Sequence, residues 1–269
     1  MHKFLVATCL FLFTSLASAT GGIVSLGGSV TEIVYALGQE KQLIATDMSS
    51  LYPPEARELP QVGYYRAISL EGLVSMSPKL ILASENAGPK ETLNRIAELG
   101  IKVQRVSDKS TVESLYERIR QVAEVLGVKE EGDILLSEVK AAVEEVMALP
   151  TTPYRAALVV NRTGTLQVAG SGTSANELMG LAGFTNVFAA QQSYKPVSKE
   201  SFLALQPEVI ITTTASVEKS GGLSHFTQDP VIANTPAAAS GRIVVLDDLL
   251  ALGMGPRCDQ VIRQLKAIP

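Results

Sequence analysis

Short apolar runs and segments with helical periodicity alternate along the first half of the chain. Ile23-Val24-Ser25-Leu26 is a mostly apolar run that two glycines break, as expected for a buried strand. The predicted strands are residues 23–26, 43–46, 80–83 and 103–106, and the predicted helices are residues 29–37, 69–77 and 90–99. Strands that alternate with helices in this way favour a parallel sheet with helices on both faces.

Residues 111–149 carry no strand pattern and predict two consecutive helices, residues 111–126 and 130–149. The second helix has one apolar stripe, formed by Leu135, Val139, Val143 and Val146. A helix of about 20 residues is about 30 Å long, which is the width of a small domain. This length favours a connecting helix between two lobes, with an ordinary sheet-covering helix as the alternative.

After Pro153 the pattern of the first half returns. Residues 157–160 and 165–169 predict a hairpin around Gly164, and residues 243–246 and 258–268 predict a late strand and a final helix. The predicted fold class is α/β, with two Rossmann-like α/β lobes joined by a single long α-helix. The predicted boundaries are residues 20–127 for the N-terminal lobe, 128–150 for the connecting helix and 151–269 for the C-terminal lobe.

Two internal matches indicate that the lobes are similar to each other. At an offset of 129 positions, Tyr65, Ser69, Glu71 and Pro78 correspond to Tyr194, Ser198, Glu200 and Pro207. At an offset of 145 positions, Glu32 and Gly38 correspond to Glu177 and Gly183. Each glutamate of the second match follows a serine by three residues, Ser29 and Ser174, and this spacing predicts a capping box at two helix starts.

The first 19 residues predict a signal peptide. Lys3 supplies the positive start, residues 4–16 are almost entirely apolar, and Ala17-Ser18-Ala19 forms a cleavage site, so we expect export to the periplasm and cleavage after about Ala19. Cys9 leaves with this peptide, which makes Cys258 the one cysteine of the mature chain. An internal disulfide is therefore excluded, and core burial has to supply the stability.

Composition argues against several function classes. The net charge is −4 without a basic block, which argues against a nucleic-acid partner. His225 is the one histidine of the mature chain, so a zinc or copper site of imidazoles is excluded, and we expect it to lie exposed on a mobile loop at residues 222–226. Gly170-Ser171-Gly172 lacks a P-loop lysine and a catalytic partner for its serine, so an enzyme is not expected.

Gly63-Tyr64-Tyr65-Arg66 is the segment with the most suggestive chemistry. A tyrosine phenolate is one of the few side chains that bind ferric haem iron, but its ordinary pKa near 10 keeps it protonated at neutral pH. A neighbouring cation such as Arg66 favours the charged form. An aromatic rim on a surface loop is the alternative interpretation.

Two α/β lobes leave a cleft, and ligands of open α/β sheets bind beyond the carboxyl ends of the strands. We expect Tyr64, Tyr65 and Arg66 on one side of this cleft and Tyr194 with Lys195 on the other. The loop at residues 253–257 is expected to join them.

These motifs resemble the periplasmic substrate-binding component of ABC importers for haem, vitamin B12 and ferric siderophores. Val62-Gly63-Tyr64-Tyr65-Arg66, the Ser-x-Glu-Gly-Leu helix at Ser69 and Gly255-Pro256-Arg257 resemble its haem-binding branch. The resemblance implies that Tyr64 ligates ferric haem, the transported ligand, with Arg66 supporting the phenolate. It also implies that Glu71 and Glu200 dock onto an inner-membrane permease with its ATPase. A monomer is expected, and an outer-membrane haem receptor system would fit upstream.

Several alternatives stay open at this stage. No histidine aligns as a second axial ligand, so either five-coordinate iron or a weak partner such as Tyr194 or Met254 is expected, with one haem or two. Arg257 pairs either with a haem propionate or with a nearby carboxylate. Glu71 and Glu200 sit in first helical turns, where a carboxylate also stabilises the helix without any partner. A siderophore or corrinoid on the same scaffold is the second hypothesis, and an exported two-lobed enzyme is the third.

Overall fold

Each half of the chain builds its own β-sheet, as the alternating pattern predicts. The computed structural model describes residues 21–161 and 165–269. Within these residues, no helix has both the length and the apolar character needed to cross a membrane. The predicted signal peptide lies outside the described residues.

The N-terminal lobe is a four-stranded parallel sheet with the strand order β2-β1-β3-β4. Its strands are β1 (Ile23–Leu26), β2 (Leu43–Ala45), β3 (Leu80–Ser84) and β4 (Lys102–Val106). Its helices are α1 (Gly28–Ala36), α2 (Leu70–Val74), α3 (Lys90–Glu98) and α4 (Val112–Leu126). The long helix α5 (Lys129–Ala148) follows and leads into the second half.

The C-terminal lobe has a mixed sheet with the strand order β10-β9-β5-β6-β8, and β7 pairs in parallel with β5. Its strands are β5 (Arg155–Asn161), β6 (Leu166–Ala169), β7 (Thr185–Asn186), β8 (Tyr194–Pro196), β9 (Val209–Thr213) and β10 (Ile243–Leu246). Its helices are α6 (Ser174–Leu181), α7 (Lys199–Ala204), α8 (Thr214–Lys219), α9 (Leu223–Gln228), α10 (Pro230–Ala233), α11 (Pro236–Ala239), α12 (Asp248–Leu252) and α13 (Cys258–Lys266). The antiparallel pairing of β5 with β6 confirms the predicted hairpin, whose turn at Gly164 lies outside the described residues.

The helix α5 is packed along one side rather than free between the lobes. Leu136, Val139, Val143 and Val146 are buried in an apolar cluster that includes residues of α1 and α4 from one lobe and of α6 and α13 from the other. Leu135, which the sequence pattern placed on the buried stripe, is only partly buried against this cluster. The two lobes therefore share one hydrophobic core along α5.

The backbone repeats the 129-residue match closely. Ser69 and Ser198 each cap a helix with the side-chain oxygen, which accepts from the backbone N–H three residues later. The residues that precede Pro78 and Pro207 both have left-handed backbone angles, with φ of 47° at Ser77 and 45° at Gln206. Two different residues adopt the same uncommon conformation at equivalent positions, which indicates a shared local backbone rather than a chance sequence match.

Both predicted capping boxes are wrong. Helix α1 begins after Gly27, whose φ of 114° suits glycine, and no side chain caps it. Helix α6 begins one residue earlier than predicted, because Thr173 rather than Ser174 accepts from the Asn176 N–H. The predicted loop at residues 222–226 is also wrong, since it contains the start of helix α9.

The burial pattern of α5 predicts a difference between two apolar residues two positions apart. Leu136→Ala removes a side chain that is 7% exposed and leaves a cavity in the shared core, so it should lower the free energy of unfolding by about 2–4 kcal/mol. Ile134→Ala changes a side chain that is 60% exposed and should cost under about 0.5 kcal/mol. Urea unfolding of both variants measures the difference, and equal losses would contradict the shared core.

Candidate functional site

A cavity of about 1420 Å³ lies between the two lobes. The N-terminal lobe contributes Tyr64, Tyr65 and Arg66, and the C-terminal lobe contributes Tyr194. The loop after α12 completes the wall with Gly253 and Met254. Residues that follow β1, β3 and β4 also line it, so the cavity occupies the carboxyl edge of the parallel sheet, where ligands of such sheets bind.

The two adjacent tyrosines have different surroundings. Tyr64 is 41% exposed, and its ring packs edge-on against that of Tyr65 with 5.1 Å between the centroids. Arg66 donates from Nε to the Tyr65 hydroxyl over 2.8 Å. The resemblance implied that Arg66 supports Tyr64, whereas in the structure its partner is Tyr65. No hydrogen bond to the Tyr64 hydroxyl is made within residues 21–161 and 165–269.

The Tyr65 phenol is not activated by its arginine in this structure. Burial raises the pKa of Tyr65 above its ordinary value, and the charges of Asp108 and Tyr64 act in the same direction. The hydrogen bond and positive charge of Arg66 oppose this effect without overcoming it. At neutral pH Tyr65 is therefore a neutral phenol. Arg66 is close enough to stabilise a negative charge on the ring of Tyr64 or Tyr65.

Asp47 holds the tyrosine loop in place. Its carboxylate has no exposed surface and accepts from the backbone N–H of Gly27, Ser49 and Tyr65 at 2.9, 2.9 and 3.2 Å. It also accepts from the hydroxyls of Ser49 and Ser50, at 2.7 and 3.0 Å. One side chain thus joins the loops after β1 and β2 to the tyrosine loop, and all three contribute residues to the cavity wall.

Other predicted site residues lie in different places. Tyr194 lines the cavity from β8, whereas Lys195 is exposed and outside the wall. Met254 is on the wall but only 2% exposed, and it packs in the shared core. Arg257 is not on the wall; it forms an ion pair with Glu32, so the structure realises its carboxylate alternative. His225 is exposed on α9, away from the cavity.

Glu71 and Glu200 occupy equivalent exposed positions in the first turns of α2 and α7. Hydrogen bonds from its own backbone N–H and from the Ser198 hydroxyl lower the pKa of Glu200. This carboxylate therefore stays charged at neutral pH. Both residues stabilise their helix starts and remain accessible to a partner.

The surroundings of Ser171 and Cys258 give neither side chain a nucleophilic role. Ser171 donates its hydroxyl to the carbonyl of Gln191 over 3.0 Å, which is a structural contact. Cys258 is buried, and burial raises its pKa to about 12, so the thiol is unreactive at neutral pH.

Most of the charged groups on the wall were not expected from the sequence. Lys90 and Lys109 line the cavity and are exposed, and none of the ion pairs in the described part of the chain includes either of them. The wall carboxylates of Glu85 and Asp108 are already engaged, by the Asp108 N–H at 2.7 Å and by Arg118 at 2.8 Å. The cations are thus more available to a ligand than these carboxylates. The signal that could have found them is their position between a parallel strand and the body of the next helix, with Lys90 at the start of α3 and Lys109 in the loop between β4 and α4.

Glu177 faces the cavity from the other lobe. Partial burial and the neighbouring Glu113 raise the pKa of Glu177, and a hydrogen bond from the Val112 N–H opposes the shift. This contact brings α6 of the C-terminal lobe against the start of α4. The glutamate equivalent to it in the N-terminal lobe, Glu32, likewise has its partner in the opposite lobe.

Residues 23–250 match the family model for periplasmic binding proteins. The chain belongs to the periplasmic binding protein family. This binding protein has the two-lobed fold of the group that handles haem, vitamin B12 and siderophores, and it is a transport protein rather than an enzyme. The family implies export and an ABC transporter as partner.

Relatives of this binding protein include proteins named for haem and proteins named for vitamin B12. The apo structure of the periplasmic haem-binding protein RhuT from Roseiflexus sp. RS-1 is 36% identical with a TM-score of 0.87, over 91% of this chain and 96% of that chain. The haem-binding protein BhuT, solved with two haems, is 33% identical with a TM-score of 0.83, over 91% and 96%. The vitamin B12-binding protein of Photorhabdus laumondii is 32% identical over 199 residues, covering 73% of this chain and 72% of that protein.

The hydrogen bonds that Asp47 accepts predict that a substitution of similar shape at this position will strongly affect the loops it joins. Asp47→Asn keeps the shape but turns one acceptor oxygen into an NH₂ donor that faces other donors, and a buried unsatisfied group costs about 1–3 kcal/mol. We expect faster hydrogen exchange at the Gly27, Ser49 and Tyr65 amides by mass spectrometry. Asp133→Asn, at an exposed position of α5, is the matched control and should change nothing. Unchanged exchange in Asp47→Asn would contradict the role of Asp47.

Proposed function

We propose that this binding protein captures ferric haem in the interlobe cavity through the Tyr64 phenolate and delivers it to an inner-membrane ABC permease. The single observation that carries the proposal is the pair of tyrosines on the cavity wall with one hydroxyl bonded to Arg66. Within the described residues the other hydroxyl, that of Tyr64, makes no hydrogen bond and is available to a ligand. A phenolate is a fitting ligand for ferric iron.

The roles of Tyr65 and Arg66 follow from their geometry. Iron binding removes the phenolic proton of Tyr64, which leaves a negative charge beside the Tyr65 ring. The Arg66 guanidinium, 5.2 Å from the centroid of that ring, supplies the compensating positive charge. Arg66 therefore stabilises the Tyr64 phenolate through its positive charge while its hydrogen bond goes to the Tyr65 hydroxyl.

The charges of the wall support haem more than a corrinoid. Haem carries two propionate carboxylates, whereas the side chains of a corrin ring are mostly neutral amides. Lys90 and Lys109 on the wall form no ion pair among the described residues. The positive charge of each lysine is complementary to the negative charge of a propionate carboxylate. A corrinoid remains the second candidate because a vitamin B12-binding relative is 32% identical to this chain.

The C-terminal lobe supplies candidates for a second contact to the ligand. Tyr194 lies on the cavity wall opposite the tyrosine pair and is the better placed of the two residues considered, because Met254 is almost fully buried. The cavity of about 1420 Å³ is generous for one flat macrocycle, and the solved BhuT structure contains two haems. We propose Tyr194 as the contact from the second lobe, to one haem or to a stacked second one.

Delivery is proposed to use Glu71 and Glu200. They lie one on each lobe, at equivalent positions, and both are exposed. A permease built of two halves would bind one carboxylate on each lobe. A single exposed ion pair contributes under about 1 kcal/mol, so further contacts must add to the affinity. An outer-membrane haem receptor system upstream fits this proposal, as does cleavage of the signal peptide after about Ala19.

Titration with ferric haem tests the proposed ligand. Wild-type protein should show the high-spin spectrum of a tyrosinate complex, and Tyr64→Phe should lose this spectrum and at least about 100-fold in affinity, or about 2.8 kcal/mol. Tyr116→Phe, on α4 outside the cavity wall, is the control and should behave as wild type.

The same titration separates the alternatives. Full affinity and an intact spectrum in Tyr64→Phe would transfer the ligand role to Tyr65 or Tyr194. Binding of cyanocobalamin in preference to haem by the wild-type protein would reject haem as the cargo. A ferric siderophore complex is the third ligand to include.

Charge reversal tests the docking role. Glu71→Arg combined with Glu200→Arg should abolish transporter-dependent haem uptake, because each lobe would then repel the cationic partner proposed for it. Haem affinity should be unchanged, since neither residue lines the cavity. Glu98→Arg combined with Glu218→Arg reverses one exposed carboxylate on each lobe elsewhere and is the matched control. Uptake that survives in the first double variant means that these glutamates only stabilise their helices.

A further inference from the structure

Two arginines, one fully buried and one partly buried, cross between the lobes in opposite directions. Arg118 belongs to α4 and has no exposed surface. Its Nη1 donates to the carbonyl of Met254 in the C-terminal lobe over 2.7 Å and to the Ser29 hydroxyl over 2.8 Å. Its Nη2 is 2.8 Å from the Asp108 carboxylate. The acceptors Met254, Ser29 and Asp108 all belong to the cavity wall.

The second arginine reaches back from the C-terminal lobe. Arg257 donates to both carboxylate oxygens of Glu32 on α1, over 2.7 and 3.2 Å. The guanidinium also stacks on Tyr52 of the N-terminal lobe, 3.4 Å above the ring centroid. A Cβ at Gly255 would lie 2.9 Å from the Glu32 carboxylate, so a larger residue there would require this carboxylate to shift.

Glu32, Asp108, Arg118 and Arg257 form what we call the interlobe charge cluster. Burial lowers the pKa of Arg118, and the charges of Asp108 and Glu32 oppose this, so the cluster members act on one another. Of its two ion pairs, Arg257 with Glu32 crosses between the lobes, whereas Arg118 with Asp108 lies within the N-terminal lobe and Arg118 reaches the other lobe through the Met254 carbonyl. A rotation of one lobe would separate Arg118 from the Met254 carbonyl and Arg257 from Glu32. The buried Glu32 carboxylate would then lose its charged partner, which is strongly unfavourable.

We propose that the interlobe charge cluster fixes the angle between the lobes and thereby the spacing between the tyrosine pair and Tyr194, which makes its four members positioning residues for ligand binding. The ligand-binding half of this inference rests on the proposed function, whereas the lobe angle is independent of it. None of the four is required to touch the ligand. Stability alone does not explain the arrangement, because apolar residues of similar volume often stabilise a buried site as well as an ion pair does.

The test therefore replaces an ion pair by apolar residues and measures the distance between the two lobes. The double variant Glu32→Met with Arg257→Met removes the directional bonds while leaving no unpaired charge. Spin labels at Lys79→Cys and Lys199→Cys, two exposed positions on opposite lobes, report the distance distribution between the lobes. The labels are placed in a Cys9→Ser background, and Cys258 is buried with its pKa raised to about 12, so it does not compete for the label.

We expect a single narrow distance distribution for the ligand-free parent and a broad one for the double variant. If the competent arrangement falls to about one tenth of the population, affinity for ferric haem falls about tenfold, while the tyrosinate spectrum of the bound state persists. Glu145→Met with Arg263→Met is the matched control, because it removes an exposed ion pair between α5 and α13 away from the cavity. This control should change neither quantity.

A folded double variant with an unchanged narrow distribution would overturn the inference. A broadened distribution with unchanged haem affinity would overturn the claim that the four residues are positioning residues for ligand binding. Should the double variant not fold, Glu32→Gln keeps the shape of the side chain and undergoes the same two measurements. If the parent protein binds no haem, the proposed function fails, and the distance measurement still decides the role of the cluster.

Discussion

A guanidinium without exposed surface is tolerated in a folded protein only when its charge is paired and most of its donors are bonded. For Arg118 these partners come from different parts of the chain: a carboxylate after β4, a hydroxyl in α1 and a backbone carbonyl of the C-terminal lobe. The site is complete only when both lobes are folded and in place. Together with the core that both lobes share along α5, this requirement makes the cavity a property of the whole chain rather than of either lobe.

The parallel sheet of the N-terminal lobe sets the positions of the residues at the edge of the cavity. Gly27, Asp47, Glu85 and Asp108 follow the four parallel strands in turn, so every strand end delivers one residue to the same edge. Backbone amides and carboxylates at this edge then bond one another, as the five donors to Asp47 show. A ligand therefore meets a surface whose shape is set before binding, which reduces the entropy lost when it binds.

Local rules predicted several helix starts, and the failure at α1 arose where distant partners bind the side chains. Ser69 and Ser198 were predicted correctly as helix starts, because the capping bond lies within the same turn. Ser29 and Glu32 have the same local signature, yet Arg118 and Arg257 take both side chains away from the helix end. No pattern of spacing shows that residues 225 positions apart will pair. The tyrosine pair could be found from the sequence by its chemistry. The hydrogen-bond partner of Arg66 could not, since the choice between Tyr64 and Tyr65 depends on the backbone conformation of the loop.

The division of relatives between haem and vitamin B12 has a physical explanation in this architecture. Fold and lobe spacing supply a cleft for any large flat ligand, and only a few wall side chains distinguish iron with carboxylates from cobalt with amides. In the function proposed here, those side chains are a phenol pair and two lysines without ion pairs in the part of the chain described by the structure. A phenol gains most from a metal that accepts anionic oxygen, and a lysine gains most from a carboxylate. Both preferences favour the ligand proposed here, and they arise from separate segments of one lobe, so the agreement between them is more informative than either feature alone.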